Sequence, residues 1–315
     1  MKRLILLTLL GLLAISCGSP TPNPDPDKIQ IAVSILPQKY FVQRIIGDST
    51  RFDIQVMIPP KHSPETYSPT PRQMQSLSRC SLYFRIGHIP FETAWMNNIA
   101  ANNPNMKIVD TSTGVDLIQG DPEEKEDADE KESHRHHHSG IDPHIWLSPK
   151  AVKIQARHIL NAIIEIDPQG QKTYKENYEK FLRDIDQLDQ DTKALLEKCP
   201  GKQFMVFHPA WSYFAREYGL TQIPIEIEGK DPSPAEMKKI IDTAKHENLR
   251  AIFIQEQFDT HSAQSVAAEI NGQVIKLDPL AEDWLTSMKQ TAQMLSQALG
   301  SNPVGDNNST TEGKQ

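Results

Sequence analysis

"DPQGQKTYKENYEKFLRDIDQLDQDTKALLEKC" (167–199) decides how the rest of the chain divides. Tyr174, Tyr178, Phe181, Ile185, Leu188 and Leu195 recur at spacings of three and four or their sum, which places them on one face of an α-helix. Asp167 is placed to cap that helix and Pro168 to open it. The expectation is one amphipathic helix over 168–198, roughly 30 residues and so about 45 Å long at 1.5 Å per residue. Such a helix acts as a strut between whatever flanks it. The other reading, a coiled coil for dimerisation, needs strict heptads, and these do not persist. The chain is expected to be a monomer.

On each side of the strut, short runs rich in β-branched and aromatic residues alternate with helical periodicity. Before it come "IQIAVSI" (29–35), "FDIQVMI" (52–58), "SLYFRIG" (81–87) and "KIVDTS" (107–112). After it come "QFMVFH" (203–208), "TQIPIEIE" (221–228), "AIFIQEQ" (251–257) and "QVIKLDP" (273–279). Alternating β and α segments imply parallel sheets covered by helices. Ser233-Pro234-Ala235-Glu236 is a capping box, after which Met237, Ile240, Ile241 and Ala244 share a helical face. Ser148-Pro149 starts another helix that runs through Ile166. The fold class is therefore α/β, with two Rossmann-like lobes, 28–167 and 199–300, joined by the strut.

The remaining segments are of other kinds. Lys2 and Arg3 precede an apolar run, Leu4 to Leu13, too short for a membrane span of about 20 residues. Ala14-Ile15-Ser16-Cys17 follows and reads as a lipobox, so residues 1–17 are expected to be a signal peptide with a lipid on Cys17. A plain secretory signal is the alternative. Residues 18–27 form a Pro-rich tether, and 301–315 a polar, disordered tail. "GDPEEKEDADEKESHRHHHS" (120–139) has no apolar residue beyond one alanine, so it cannot fold around a core of its own. It is expected to be a mobile acidic loop whose His134, His136, His137 and His138 collect metal weakly, or else a solvated insertion with no role. The net charge of −8 argues against nucleic acid as a partner. Cys80 and Cys199 could pair in an exported protein, but their separation in sequence decides nothing.

In open parallel sheets, ligands bind beyond the carboxyl ends of the strands. Four metal-competent side chains fall there: Glu65 in "PPKHSPETYSPTP", His144 in "IDPHIWLSP", His208 ending "FMVFH" and Asp278 ending "VIKLD". Each has a bland reading as a turn residue or a solvated group. His144 is the hardest to dismiss, because an imidazole beside "IWL" needs a partner. Mixed imidazole and carboxylate donors fit Zn²⁺, and also Mn²⁺ or Fe²⁺, with the His-rich loop favouring zinc.

"SPETYSPTP", "DPHIWLSP", "FHPAWSYFAREYGL", "IEIEGKDPSP" and "KLDPL" resemble the motifs of the zinc/manganese-binding proteins of bacterial ABC importers, the ZnuA/TroA-like family. The resemblance implies a metal site in the interlobe cleft, with His144, His208 and Asp278 as ligands. It also implies a membrane permease and ATPase as partners, in the periplasm or at the cell envelope. One position departs. The family reads Pro-His-x-Tyr where this chain has Pro64-Glu65-Thr66-Tyr67, so a carboxylate stands in place of an imidazole. Glu65 is favoured as the ligand, with His88 in "RIGHIPFE" or His62 able to restore a third imidazole. The leading reading is a lipid-anchored, zinc-favouring binding protein with no enzymatic activity. A zinc-buffering or adhesin-like surface protein and a metallohydrolase are the rivals. The chain lacks the His-Glu-x-x-His helix and the nucleophile motif that a metallohydrolase reading would want.

Overall fold

The computed structural model describes residues 28–119, 140–227, 230–257 and 261–300. The first lobe runs β1 (Ile29–Val33), α1 (Leu36–Ile46), β2 (Phe52–Val56), α2 (Pro71–Leu77), β3 (Leu82–Arg85), α3 (Pro90–Asn102) and β4 (Lys107–Asp110). Helices α4 (Pro149–Ile166) and α5 (Gln171–Leu196) follow. The second lobe runs β5 (Gln203–Val206), α6 (Ser212–Tyr218), β6 (Thr221–Pro224), α7 (Pro234–His246), β7 (Ala251–Ile254), α8 (His261–Glu269), β8 (Gln273–Lys276) and α9 (Trp284–Gly300). Both sheets are parallel and share one topology, β2-β1-β3-β4 and β6-β5-β7-β8. The switch point of each lies beside its first strand, and loops leaving the carboxyl ends there have room to hold a ligand.

The strut forms with two differences from expectation. Residues Pro168–Gly170 make a separate 3₁₀ turn, so α5 has 26 residues and a length of about 39 Å. Asp167 does not cap. Its buried carboxylate accepts from the Tyr174 hydroxyl at 2.5 Å and pairs with Arg51 at 2.9 Å. The buried stripe ends on Thr192 and Leu196, with Leu195 only partly buried. Phe181, at the middle of the stripe, meets Phe41 of α1 at 5.9 Å and Trp284 of α9 at 6.4 Å between ring centroids. The strut therefore packs on both lobes at once.

Its packing makes the core continuous. One apolar cluster runs from Val33 and Phe84 of the first sheet through Phe181 to Phe204, Phe253 and Trp284 of the second lobe. A smaller cluster on the other face of the second sheet buries Met205, Ile225 and Ile252 under Met237, Ile240, Ile241 and Ala244 of α7. The expected capping box at Ser233 and Glu236 forms. Ser148 caps α4 by accepting from Ala151 N at 2.9 Å. Cys80 and Cys199 are both buried and free, and burial pushes the Cys80 thiol up to about 12. The signal segment, Cys17, the tether, the loop with His134, His136, His137 and His138, and the tail lie outside the described residues.

Candidate metal centre

Two tryptophans fix the segment that carries His144. Trp146 Nε1 donates to Pro279 O at 2.7 Å, and Trp284 Nε1 donates to Trp146 O at 2.7 Å. The 3₁₀ turn Ile145–Leu147 is thereby tied to the second lobe at its donor and its acceptor. Tyr213 of α6 adds a third tie, its hydroxyl donating to Asp142 O at 2.7 Å. His144 leaves this clamped segment just ahead of the turn, 7% exposed. His208 stands two residues beyond β5 and is also buried.

The two rings meet across the interlobe cleft. His144 Nε2 and His208 Nε2 are 3.3 Å apart, and His208 Nε2 lies 3.1 Å from Glu65 Oε1. Glu65 reaches the pair from the loop after β2, which is held where Phe91 N donates to Pro64 O at 2.9 Å. Pro143, Trp146, Ala210 and Leu280 line the same cavity and make its walls largely apolar.

Each ring is set from behind by a carboxylate. His144 Nδ1 and its own backbone N–H both lie 2.9 Å from Asp142 Oδ1. His208 Nδ1 lies 2.8 Å from Glu226 Oε1. An ionised carboxylate only accepts, so the proton of each neutral ring sits on Nδ1 and each Nε2 lone pair faces the cleft. Burial by itself would raise the Asp142 carboxyl, but the charge and hydrogen bonds of His144 outweigh it and hold that carboxyl below its ordinary value. Burial would lower the His208 imidazole. The hydrogen bond that His208 donates to Glu226 and the charges of Glu65, Glu226 and Asp142 outweigh that and raise it.

This geometry suits a tetrahedral cation. Two Zn–N bonds of about 2.0–2.1 Å at the tetrahedral angle put the nitrogens about 3.3 Å apart, which is the separation found here. The residues present fit such an ion.

The sequence expectations fall into two groups. Glu65, His144 and His208 are brought together. Asp278 stands apart: its carboxylate accepts from Leu280 N at 2.9 Å and lines a neighbouring cavity with Glu256. Partial burial, reinforced by Glu256, raises the Asp278 carboxyl. His62 is exposed, with Nδ1 3.1 Å from Pro60 O and its ring edge-on to Tyr67. His88 is half-buried in the field of Arg85 and Asp110, and burial pushes its imidazole down. Neither histidine lines the cavity. Glu226 and Asp142 were missed as ring-holders. Among the described residues, Glu65, His208 and Glu226 offer ligand atoms all within 4.8 Å of one another. Glu226 could have been found by the rule that found His208, since it too follows the end of an apolar strand.

A family model described as "Zinc-uptake complex component A periplasmic" matches residues 31–298. A solved structure of a zinc-bound ZnuA deletion mutant is 40% identical, covers 88% of this chain and all of that one, and superposes with a TM-score of 0.78. The high-affinity zinc uptake system protein ZnuA of Bacillus subtilis is 27% identical over 256 residues, covering 80% of this chain and 78% of that protein. The manganese-binding lipoprotein MntA of Halalkalibacterium halodurans is 24% identical over 241 residues, or 74% of each chain. With this lobe architecture and a metal-shaped interlobe pocket, the chain belongs to the ZnuA family of periplasmic zinc-uptake complex components.

Proposed function

We propose that this protein captures a divalent transition-metal ion, zinc in preference to manganese, on Glu65, His144 and His208, and delivers it to the permease and ATPase of an ABC importer. One observation carries the reading. Imidazoles from opposite lobes aim their Nε2 atoms at one point, each with a carboxylate holding its Nδ1. Two neutral imidazoles and one carboxylate form a donor set of the kind zinc takes. Asp278, beside Glu256 at the neighbouring cavity, adds negative charge that draws cations towards the cleft. No helix among the described residues is long and apolar enough to cross a membrane. The lipid on Cys17 anchors the protein near its permease, residues 120–139 act as a weak collector, and the protein works as a monomeric binding protein without catalysis.

A manganese-carrying reading is favoured by one feature, the carboxylate of Glu65 where the family motif has an imidazole, because oxygen donors suit the harder ion. MntA is a relative with manganese in its name. Metal analysis of protein purified under native conditions, followed by competition between Zn²⁺ and Mn²⁺, decides the matter. One tight equivalent of zinc that manganese does not displace is expected. Tight binding of manganese in preference to zinc overturns the zinc assignment, and the absence of any tight equivalent overturns the transport reading.

A further inference from the structure

We infer that the side-chain amide oxygen of Gln255 is a fourth donor to the bound ion, a neutral oxygen beside the carboxylate and two imidazoles. The inference rests on the metal-binding reading above and specifies it. Gln255 directly follows β7, the strand next to β5, so it leaves the sheet edge beside His208. It is 2% exposed and lines the cavity shared by Glu65, His144 and His208.

Its orientation is fixed by a hydrogen bond. Gln255 Nε2 donates to His208 O at 3.2 Å, and a carbonyl can only accept, so the NH₂ end must be the one turned to His208. The other end, Oε1, is buried without a hydrogen-bond partner. A buried acceptor left unpaired is costly, and native proteins carry few of them. Gln38 and Gln155 are buried glutamines that also have an unpartnered amide atom, yet neither lines this cavity. In Gln255 an orphan oxygen therefore coincides with a donor set one ligand short of a tetrahedron. Asp278 lines the neighbouring cavity, with one carboxylate oxygen accepting from Leu280 N. An amide oxygen fills the fourth place without adding a second negative charge.

The test uses the full chain loaded with Co²⁺ as a spectroscopic stand-in for zinc, with Zn²⁺ affinity measured by competition against a chromophoric chelator. Wild type is compared with Gln255→Leu, Gln255→Glu and His144→Ala, and circular dichroism checks each fold. Gln255→Leu is expected to change the visible Co²⁺ bands and to weaken zinc by about tenfold or more. Gln255→Glu, which keeps an oxygen in place, is expected to retain tight binding. If Gln255→Leu shows wild-type bands and affinity, the inference is overturned. Equal losses in both Gln255 variants with unchanged Co²⁺ bands also overturn it, because the residue then acts only through its bond to His208 O. His144→Ala separates the failures: wild-type binding in that variant sinks the site reading itself, whereas its loss leaves the Gln255 result to stand alone.

Discussion

His144 Nε2 and His208 Nε2 face each other at 3.3 Å, one imidazole from each half of the molecule. They can do so only because Asp142 and Glu226 hold the far nitrogens at 2.9 and 2.8 Å. Without a carboxylate behind it, each ring could rotate or present a protonated nitrogen to the cleft. Under the proposed metal-binding reading, affinity is shared between the groups that would touch the ion and the groups that aim them.

Replacing the aiming groups should show this. Asp142→Asn and Glu226→Gln keep size and remove the anion, and each is expected to weaken zinc by about 10–100-fold with the fold intact. Chelator competition gives the affinity and near-UV circular dichroism the fold. Unaltered affinity in both variants would mean that ring orientation is set by packing alone.

The raised His208 imidazole gives the pH dependence its sign. In the metal-free protein His208 keeps its second proton to a pH above the ordinary 6.5, and the ion must displace that proton. Zinc affinity should therefore fall as the pH drops through that raised value, and binding near neutrality should release protons. Titration calorimetry in two buffers of different ionisation enthalpy counts them. For the metal-free fold the sign is opposite. The His208 contribution to stability is fully present below the unfolded value and is lost as the pH rises through the folded one. Affinity that stays flat from pH 7.5 to 5 would exclude His208 as a ligand.

At the first position, Glu65→Gln should cost tight binding about tenfold or more, since an anionic donor becomes a poor neutral one. Glu65→His should bind well and shift preference further towards zinc over manganese. His88→Ala should leave the site intact, because His88 stands in the field of Arg85 and Asp110 and not in the cavity. The opposite pattern, with His88→Ala abolishing binding and Glu65→Gln harmless, exchanges the two residues' roles.

Deleting residues 121–139 should remove weak, additional equivalents of zinc and leave one tight equivalent. Glu65, His144 and His208 all lie outside that segment, and His144 is clamped by Trp146 and Trp284. Equilibrium dialysis across a range of zinc concentrations reads both classes of site. Loss of the tight equivalent on deletion would place a loop histidine in the cleft.

What the sequence made legible was whatever depends on near neighbours. Eight strands, the N-cap at Ser148, the capping box at Ser233 and the stripe from Tyr174 to Leu188 follow from periodicity and local chemistry. Asp167 misled because a capping residue and a buried ion-pair partner look alike in sequence; only the fold brings Arg51 and Tyr174 to it. Glu65, His144 and His208 could be named from their places after strands or before a helix. Asp278 obeyed the same rule, and its carboxylate, accepting from Leu280 N, lines the adjoining cavity. Glu226 and Gln255 also follow strand ends, but the sequence does not say what each meets, and Asp142 carries no signal of spacing. Glu226 acts through a pair distant in the chain, with His208, Asp142 through a ring two residues on whose orientation only the fold sets, and Gln255 through an unpartnered atom that exists only once the chain is folded.

Phe181 marks the molecule's stiffness. Its ring touches Phe41 and Trp284 on opposite lobes, so Phe181→Ala should cost about 3–5 kcal/mol and still give a single urea transition. Two separate transitions would show that the lobes unfold independently. A molecule with one unbroken core through both halves cannot gape like a jaw to surrender its cargo without tearing that core. The segment around Glu65 is tied to the body at Pro64, which accepts from Phe91 N, and at Tyr67, whose ring packs on Phe91 and whose hydroxyl donates to Gln73. Release that spares the core would then begin at this edge of the pocket.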